Sequence, residues 1–255
     1  MKNTSKLSLF HSLYDLDSPE STIFIRDIIL KKRFLNRIYT EWYGWLISKA
    51  KNCGEGICLE IGSGGGFLKN LFPEAVTSDI LDLPFVDVVC SAERLPFADH
   101  SLACIMMLNV FHHIPRPYLF LEEAQRCLVA GGKILMIEPA NTYWGRFIYT
   151  RFHHEPFKPE AGWEISPGNP LSNSNQALPY IYFKRDINNF NERFPQLRLN
   201  EMRPHTPFLY LVSGGLSRNA ILPPAMYGFV KFVEWMVSPL NRQLGMFYCI
   251  EIEKI

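Results

Sequence analysis

A chain of 255 residues with 26 Lys and Arg against 25 Asp and Glu has a net charge of +1, which excludes a whole-chain charge imbalance large enough to grip nucleic acid or an anionic membrane and demotes those partners. Hydrophobic residues make up 47% of the chain, enough to fill a core, so disorder is excluded and one enlarged domain, or a domain with a lid, is expected at roughly 150 residues per domain. No run reaches the ~18 apolar residues of a membrane span, and acids interrupt the first residues where a signal peptide would be apolar, so a cytoplasmic chain is expected.

In chain order, residues 22–52 carry apolar side chains at helical spacing (Ile25, Ile28, Ile29, Phe34, Leu35, Ile38, Trp42, Trp45), with Lys31, Lys32, Arg33 and Arg37 on other faces. They predict a helical N-terminal arm within residues 1–55. From Gly56 to Pro139 short apolar runs alternate with helix-like stretches: ICLEI, AVTSDI, VDVVCS, LACIMML and KILMIEP are read as strands, FLKNLF and YLFLEEAQRCL as helices. Strands and helices that alternate at this spacing imply a parallel sheet with helices on its faces. Gly131 and Gly132 are expected to end the helix before the fifth strand.

After Pro139 the texture loosens. Residues 140–255 hold 20 of the 35 aromatics and 11 of the 18 prolines, which is incompatible with a second regular α/β layer. Within this part YIYFKRDINNFNERF reads as a helix, LRLNEMR as a strand and MFYCIEIEKI as a last strand with alternating pattern. Residues 225–238 read as an apolar helix too short to cross a bilayer, which leaves a buried lid, a subunit contact or a membrane-surface contact open. The six cysteines show no CxxC pair and read as structural thiols.

The residues that promise chemistry start at Glu60-Ile61-Gly62-Ser63-Gly64-Gly65-Gly66, at the end of the first expected strand and before a helix. Glycines there let a backbone approach a ligand closely, and the following helix offers free N–H groups. Dinucleotide enzymes require GxGxxG, and Phe67 stands where the last glycine would be; the Gly-Lys-Ser/Thr of an ATP loop is absent. Asp79 closes the second strand, and an ionised carboxylate can accept from two hydroxyls at once. His112 and His113 follow the fourth strand, at the carboxyl edge where open α/β sheets hold ligands. A neutral imidazole there could accept a proton from an acceptor hydroxyl. His153, His154 and Glu155 suggest a metal, but adjacent histidines diverge on a strand or a helix, so a substrate-facing role is expected and no metal site is assigned.

The pattern acid-x-Gly-x-Gly-x-Gly resembles the first motif of the class I S-adenosylmethionine (SAM) dependent methyltransferases. From Gly56 to Pro139 the chain is similar to the small-molecule, type 11 branch of that family. The resemblance implies a Rossmann-like, seven-stranded, mostly parallel sheet with an antiparallel last strand, a SAM-binding core over residues 56–139, and insertions 140–180 and 204–245 that form a substrate lid. It also implies that Glu60, Gly62, Ser63, Gly64, Gly66, Asp79, Ser91, Ala92 and Asn109 bind SAM, with Asp79 on the ribose. Ser91 and Ala92 depart from the family, which has an Asp before the small residue at the adenine edge, and Ala103 stands where an Asp commonly opens the fourth strand.

The expected reaction is methyl transfer, with O-methylation favoured, to a small hydrophobic or aromatic acceptor. His113 or His112 is the candidate base, and Tyr143, Trp144, His153, His154 and Trp163 face the acceptor. The alternative is a degenerate relative that binds SAM without turnover, as a sensor or partner. No nucleic-acid partner is expected; peripheral membrane contact and a homodimer stay open.

Overall fold

The computed structural model describes residues 17–165 and 173–255. The start of the N-terminal arm and residues 166–172 of the first insertion lie outside the described residues. Helix α1 (Pro19–Lys31) starts under the Ser18 hydroxyl, which accepts the Ser21 N–H, with Pro19 preset for the first turn. Lys32 adopts an extended conformation and breaks the expected single arm into α1 and α2 (Arg33–Ala50). Its ammonium donates to the carbonyls of Gly215 and Arg218, so the break ties the arm to the second insertion.

Seven strands follow in one sheet: β1 (Ile57–Ile61), β2 (Val76–Asp79), β3 (Val88–Val89), β4 (Leu102–Leu108), β5 (Leu128–Pro139), β6 (Leu197–His205) and β7 (Phe247–Lys254), in the order β3-β2-β1-β4-β5-β7-β6. β7 runs antiparallel to both its neighbours, and the other pairings are parallel, as expected for this fold class. Every residue of β4 is buried because both faces of the sheet are covered. Cys104, Met106 and Leu108 pack with Leu35, Ile38, Trp42 and Leu46 of α2, while Ile105 and Met107 pack on the opposite face. That opposite face is covered by α4 (Pro117–Cys127), which follows the short α3 (Leu68–Leu71), and by residues 178–193.

Two boundaries differ from expectation. α4 ends at Cys127 and the chain is already strand at Leu128; Gly131, at φ +75°, lies inside β5 where the β4 register shifts, so it accommodates a bulge rather than capping a helix. The stretch 178–193 is not one helix: α6 (Leu178–Tyr180) runs into a π turn (Ile181–Arg185) before α7 (Ile187–Arg193).

The first insertion contains α5 (Tyr143–Phe152), capped by the Thr142 hydroxyl. The second contains α8 (Leu209–Val212), α9 (Tyr227–Met236) and α10 (Asn241–Leu244). α9 is half-covered rather than buried: Tyr227, Val230 and Glu234 face the body, with Glu234 accepting the N–H groups of Phe208 and Leu209, while Phe229, Phe232, Trp235 and Met236 are exposed. Among the described residues no helix is long and apolar enough to cross a membrane. All six cysteines are free.

Candidate active site

The carboxyl ends of β1, β2, β4 and β5 converge on one cavity of about 780 Å³. Its floor is the glycine turn after β1. Gly62 and Gly64 have φ of +65° and +42°, a region that costs other residues about 1–2 kcal/mol. A Cβ on Gly66 would lie 2.0 Å from the Tyr43 hydroxyl and 2.7 Å from the Ser63 carbonyl, whereas a Cβ on Gly64 would meet nothing closer than 3.6 Å. Gly64→Ala is therefore expected to weaken binding of S-adenosylhomocysteine by roughly five- to tenfold with a melting temperature within a few degrees of wild type, since its cost is strain and crowding at the ligand. Gly66→Ala, which collides with buried neighbours, is expected to lower the melting temperature instead. Calorimetric titration and thermal unfolding of the two variants test the contrast, which is refuted if both lose binding or stability alike.

Asp79, at the end of β2, is buried and lines the cavity. Its two oxygens accept one backbone N–H each, from Gly64 at 2.8 Å and Leu81 at 3.0 Å. Burial raises its pKa and those N–H groups restrain the rise. The Ile80 N–H also reaches this carboxylate, and with about four acceptor positions it keeps capacity for a ligand's hydroxyls. Asn109, at the end of β4 with φ +57°, has a buried side-chain oxygen that no protein group satisfies, and it too faces the cavity. Ser91 and Ala92 line the same wall.

Glu60 is the exception among the residues expected to touch the cofactor. It sits under the turn, accepts the Ser63 hydroxyl at 2.6 Å and lies beside the Tyr43 hydroxyl, and it does not line the cavity. Burial pushes its pKa up to about 7, eased by Ser63 and Tyr43. Its work in this structure is to hold the turn and α2 together. The arm reaches the site more fully than its sequence suggested: Thr22, Ile25 and Ile29 of α1 and Tyr39 and Tyr43 of α2 form one wall of the cavity.

Beyond the turn lies a cluster of imidazoles and carboxylates. His112 and His113 occupy a 3₁₀ turn (Phe111–His113) after β4, and their ring centres are 4.3 Å apart. Glu138, fully buried near the end of β5, accepts the N–H groups of Val110 (2.7 Å) and Phe111 (2.8 Å) and the Nδ1–H of His112 (2.6 Å). Because an ionised carboxylate only accepts, His112 Nδ1 carries a proton toward Glu138, and its Nε2 points the other way, toward Glu155. Glu155 approaches from the first insertion, 3.4 Å from His112 Nε2 and 3.8 Å from His113 Nε2, and accepts from the Gln176 amide at 2.8 Å.

The charges in this cluster compensate one another. Burial lowers the His112 pKa, but Glu138 and Glu155 outweigh it and raise it to about 9; burial and the neighbouring His112 lower His113 to about 4. Burial also opposes the charge on Glu155, yet the imidazoles of His112, His113 and His153 hold its carboxyl well below the usual range. Two buried carboxylates thus require one cation between them.

Of the expected acceptor-facing residues, Trp144, His153 and His154 line the cavity. Tyr143 and Trp163 do not. Tyr143 is 85% exposed, because the first turn of α5 points it to solvent, and the Trp163 ring packs against Tyr182 at 4.2 Å with its N–H donating to Asp186. Tyr149, Phe152, Tyr210, Leu216, Ile221 and Phe247 complete the wall, so both insertions share one cavity with the glycine turn. The sequence reading missed Glu138 and Gln176. An acid directly after the buried run KILMI, at the carboxyl edge of a parallel strand, was the available signal for the first; Gln176 carried none.

Comparison with known proteins shows which fold and domain family the turn resembles. Residues 59–136 match the family model described as a methyltransferase domain. Over those residues the chain is similar to the methyltransferase domains of that family, and its sheet has the class I, Rossmann-like methyltransferase fold. No curated protein matches it by sequence. Among solved structures, the geranyl diphosphate C-methyltransferase of Streptomyces coelicolor A3(2) superposes with a TM-score of 0.52 over 93% of this chain and 88% of that one, at 11% identity. A geranyl diphosphate methyltransferase determined with SAM gives 0.51 over 91% of both chains at 12% identity. At such identities the likeness is one of fold. SAM is the methyl donor of that domain family, and the unsatisfied Asn109 oxygen, the remaining acceptor capacity of Asp79 and the open space over Gly64 fit such a ligand.

Proposed function

We propose that this methyltransferase moves a methyl group to the hydroxyl of a small, hydrophobic or ring-bearing acceptor held under the two insertions. The observation that carries this reading is the single cavity that joins the glycine turn and Asp79, through the His112–His113–Glu155 cluster, to walls of aromatic and aliphatic side chains. Bound SAM supplies an electrophilic methyl on a sulfonium. The chain's own residues then have three tasks: Asp79 and Asn109 fix the donor, the insertions align the acceptor and exclude water, and the cluster of His113, His112 and Glu155 manages the acceptor's proton.

The structural relatives are named for an acceptor with a diphosphate. Among the described residues that line the cavity here, Arg218 is the sole Arg or Lys, and the walls are mostly aromatic and aliphatic, which favours an acceptor that is largely apolar. Labelled SAM offered with a panel of ring-bearing alcohols and phenols, amines and prenyl diphosphates tests the reading. O-methylated products are expected, with turnover in His113→Ala lower by about 10²-fold and S-adenosylhomocysteine affinity within about twofold of wild type. Products methylated on nitrogen or carbon only, or undiminished turnover in that variant, would refute it.

A further inference from the structure

We propose that His112 Nε2, His113 Nε2 and the Glu155 carboxylate hold a divalent transition-metal ion whose open position faces the acceptor; this rests on the proposed transfer to a hydroxyl. These three residues are, among those described, the group whose ligand atoms all lie within 4.8 Å of one another, and all three line the cavity.

The distances distinguish a shared ion from a hydrogen bond. His112 Nδ1 meets Glu138 at 2.6 Å, a short, charge-assisted hydrogen bond. On the other side of the ring, Nε2 stands 3.4 Å from Glu155, and His113 Nε2 stands 3.8 Å from the other Glu155 oxygen. Both separations are long for N–H···O contacts. Two donors each ~2.1 Å from one ion and set at the tetrahedral angle lie roughly 3.4 Å apart, so these spacings suit atoms that share a cation between them.

The surroundings match what metal-binding imidazoles need. Glu138 holds the His112 Nδ1–H and so directs Nε2 at Glu155, where a bound ion would replace the Nε2 proton, and the Gln176 amide orients the Glu155 carboxylate. The objection that adjacent histidines diverge is met by the 3₁₀ turn, which brings the two rings to 4.3 Å. Two imidazoles and one carboxylate select a zinc-type ion over Mg²⁺, which prefers oxygen ligands and nearly ideal octahedral geometry. Three protein ligands leave a position for the acceptor's oxygen. There the ion would favour loss of the hydroxyl proton to water; the oxygen's electron pair then forms the new O–CH₃ bond as the C–S bond breaks and leaves its pair on sulfur.

Co²⁺ titration of the full-length, metal-stripped protein tests the site, because the visible spectrum also reports whether the six thiols take part. One equivalent is expected to bind with the weak bands of nitrogen and oxygen ligation and no thiolate charge-transfer band. His113→Ala and Glu155→Gln should each weaken it at least about tenfold, with S-adenosylhomocysteine affinity retained as the sign of a folded protein. No binding, thiolate ligation, or equal binding by wild type and both variants would overturn the proposal. Full O-methylation by the metal-stripped protein would also overturn it and leave the proposed function standing. Co²⁺ binding as described, with no O-methylation of any acceptor, would refute that function and leave the metal site.

Discussion

Asp79→Ala is expected to raise the dissociation constant for SAM and S-adenosylhomocysteine roughly ten- to a hundredfold. The carboxylate is buried, faces the cavity and keeps acceptor capacity beyond the N–H groups of Gly64, Leu81 and Ile80. A pair of charge-assisted hydrogen bonds to hydroxyls in so dry a place is worth about 1.5–3 kcal/mol, and tenfold in affinity is ~1.4 kcal/mol. The same substitution frees the Gly64 N–H, so Asp79→Asn, which keeps the shape and one acceptor oxygen, should fall between wild type and Ala. Calorimetric titration of proteins shown to be folded by their thermal transitions decides it; an unchanged dissociation constant in a folded Asp79→Ala protein removes Asp79 from the cofactor site.

Glu138→Ala should produce the largest loss of stability among single changes near the site. One fully buried carboxylate satisfies three donors, the N–H groups of Val110 and Phe111 and the His112 Nδ1–H. Its removal strands all three and leaves His112 without the anion that orients it, a cost of about 3–5 kcal/mol for breaking such a buried pair. For a chain of this size that is a fall in melting temperature of roughly 10 °C. Glu138→Gln keeps one acceptor oxygen but turns an NH₂ group toward a donor, so a smaller fall is expected. A melting temperature within 2 °C of wild type for Glu138→Ala, measured by calorimetry as roughly half a kcal/mol or less, would show that these donors find other partners.

Sequence and structure divide the account according to the range of the interactions involved. The glycine turn, the acid at the end of β2 and the alternation of apolar runs with helical stretches are local patterns, set by backbone sterics and by which faces must leave water. They predicted the strand order's consequence, a cavity at the carboxyl edge that receives Gly62, Gly64, Asp79, Asn109, His112 and His113. The break at Lys32, the bulge at Gly131 and the π turn at Ile181–Arg185 were not legible, because each is settled by a distant partner or by the register of a neighbouring strand. Tyr143 and Trp163 show the same limit: an aromatic residue in an insertion is equally good as surface, packing or cavity wall until the helix that carries it is docked.

The cluster beyond the turn is the clearest case. His112 and His113 announce themselves beside β4, and Glu155 beside His153 and His154, but nothing in their spacing joins positions 112, 138, 155 and 176. Only the tertiary fold brings Glu138 under His112 and swings Glu155 over both imidazoles, because the first insertion leaves β5 at the same sheet edge where β4 ends. By itself the sequence determined the glycine turn, through glycines and carboxylates a few residues apart on consecutive elements. The tertiary structure decided what lies beyond the turn in the cavity, since charge compensation among buried groups acts through space between chain segments far apart in sequence.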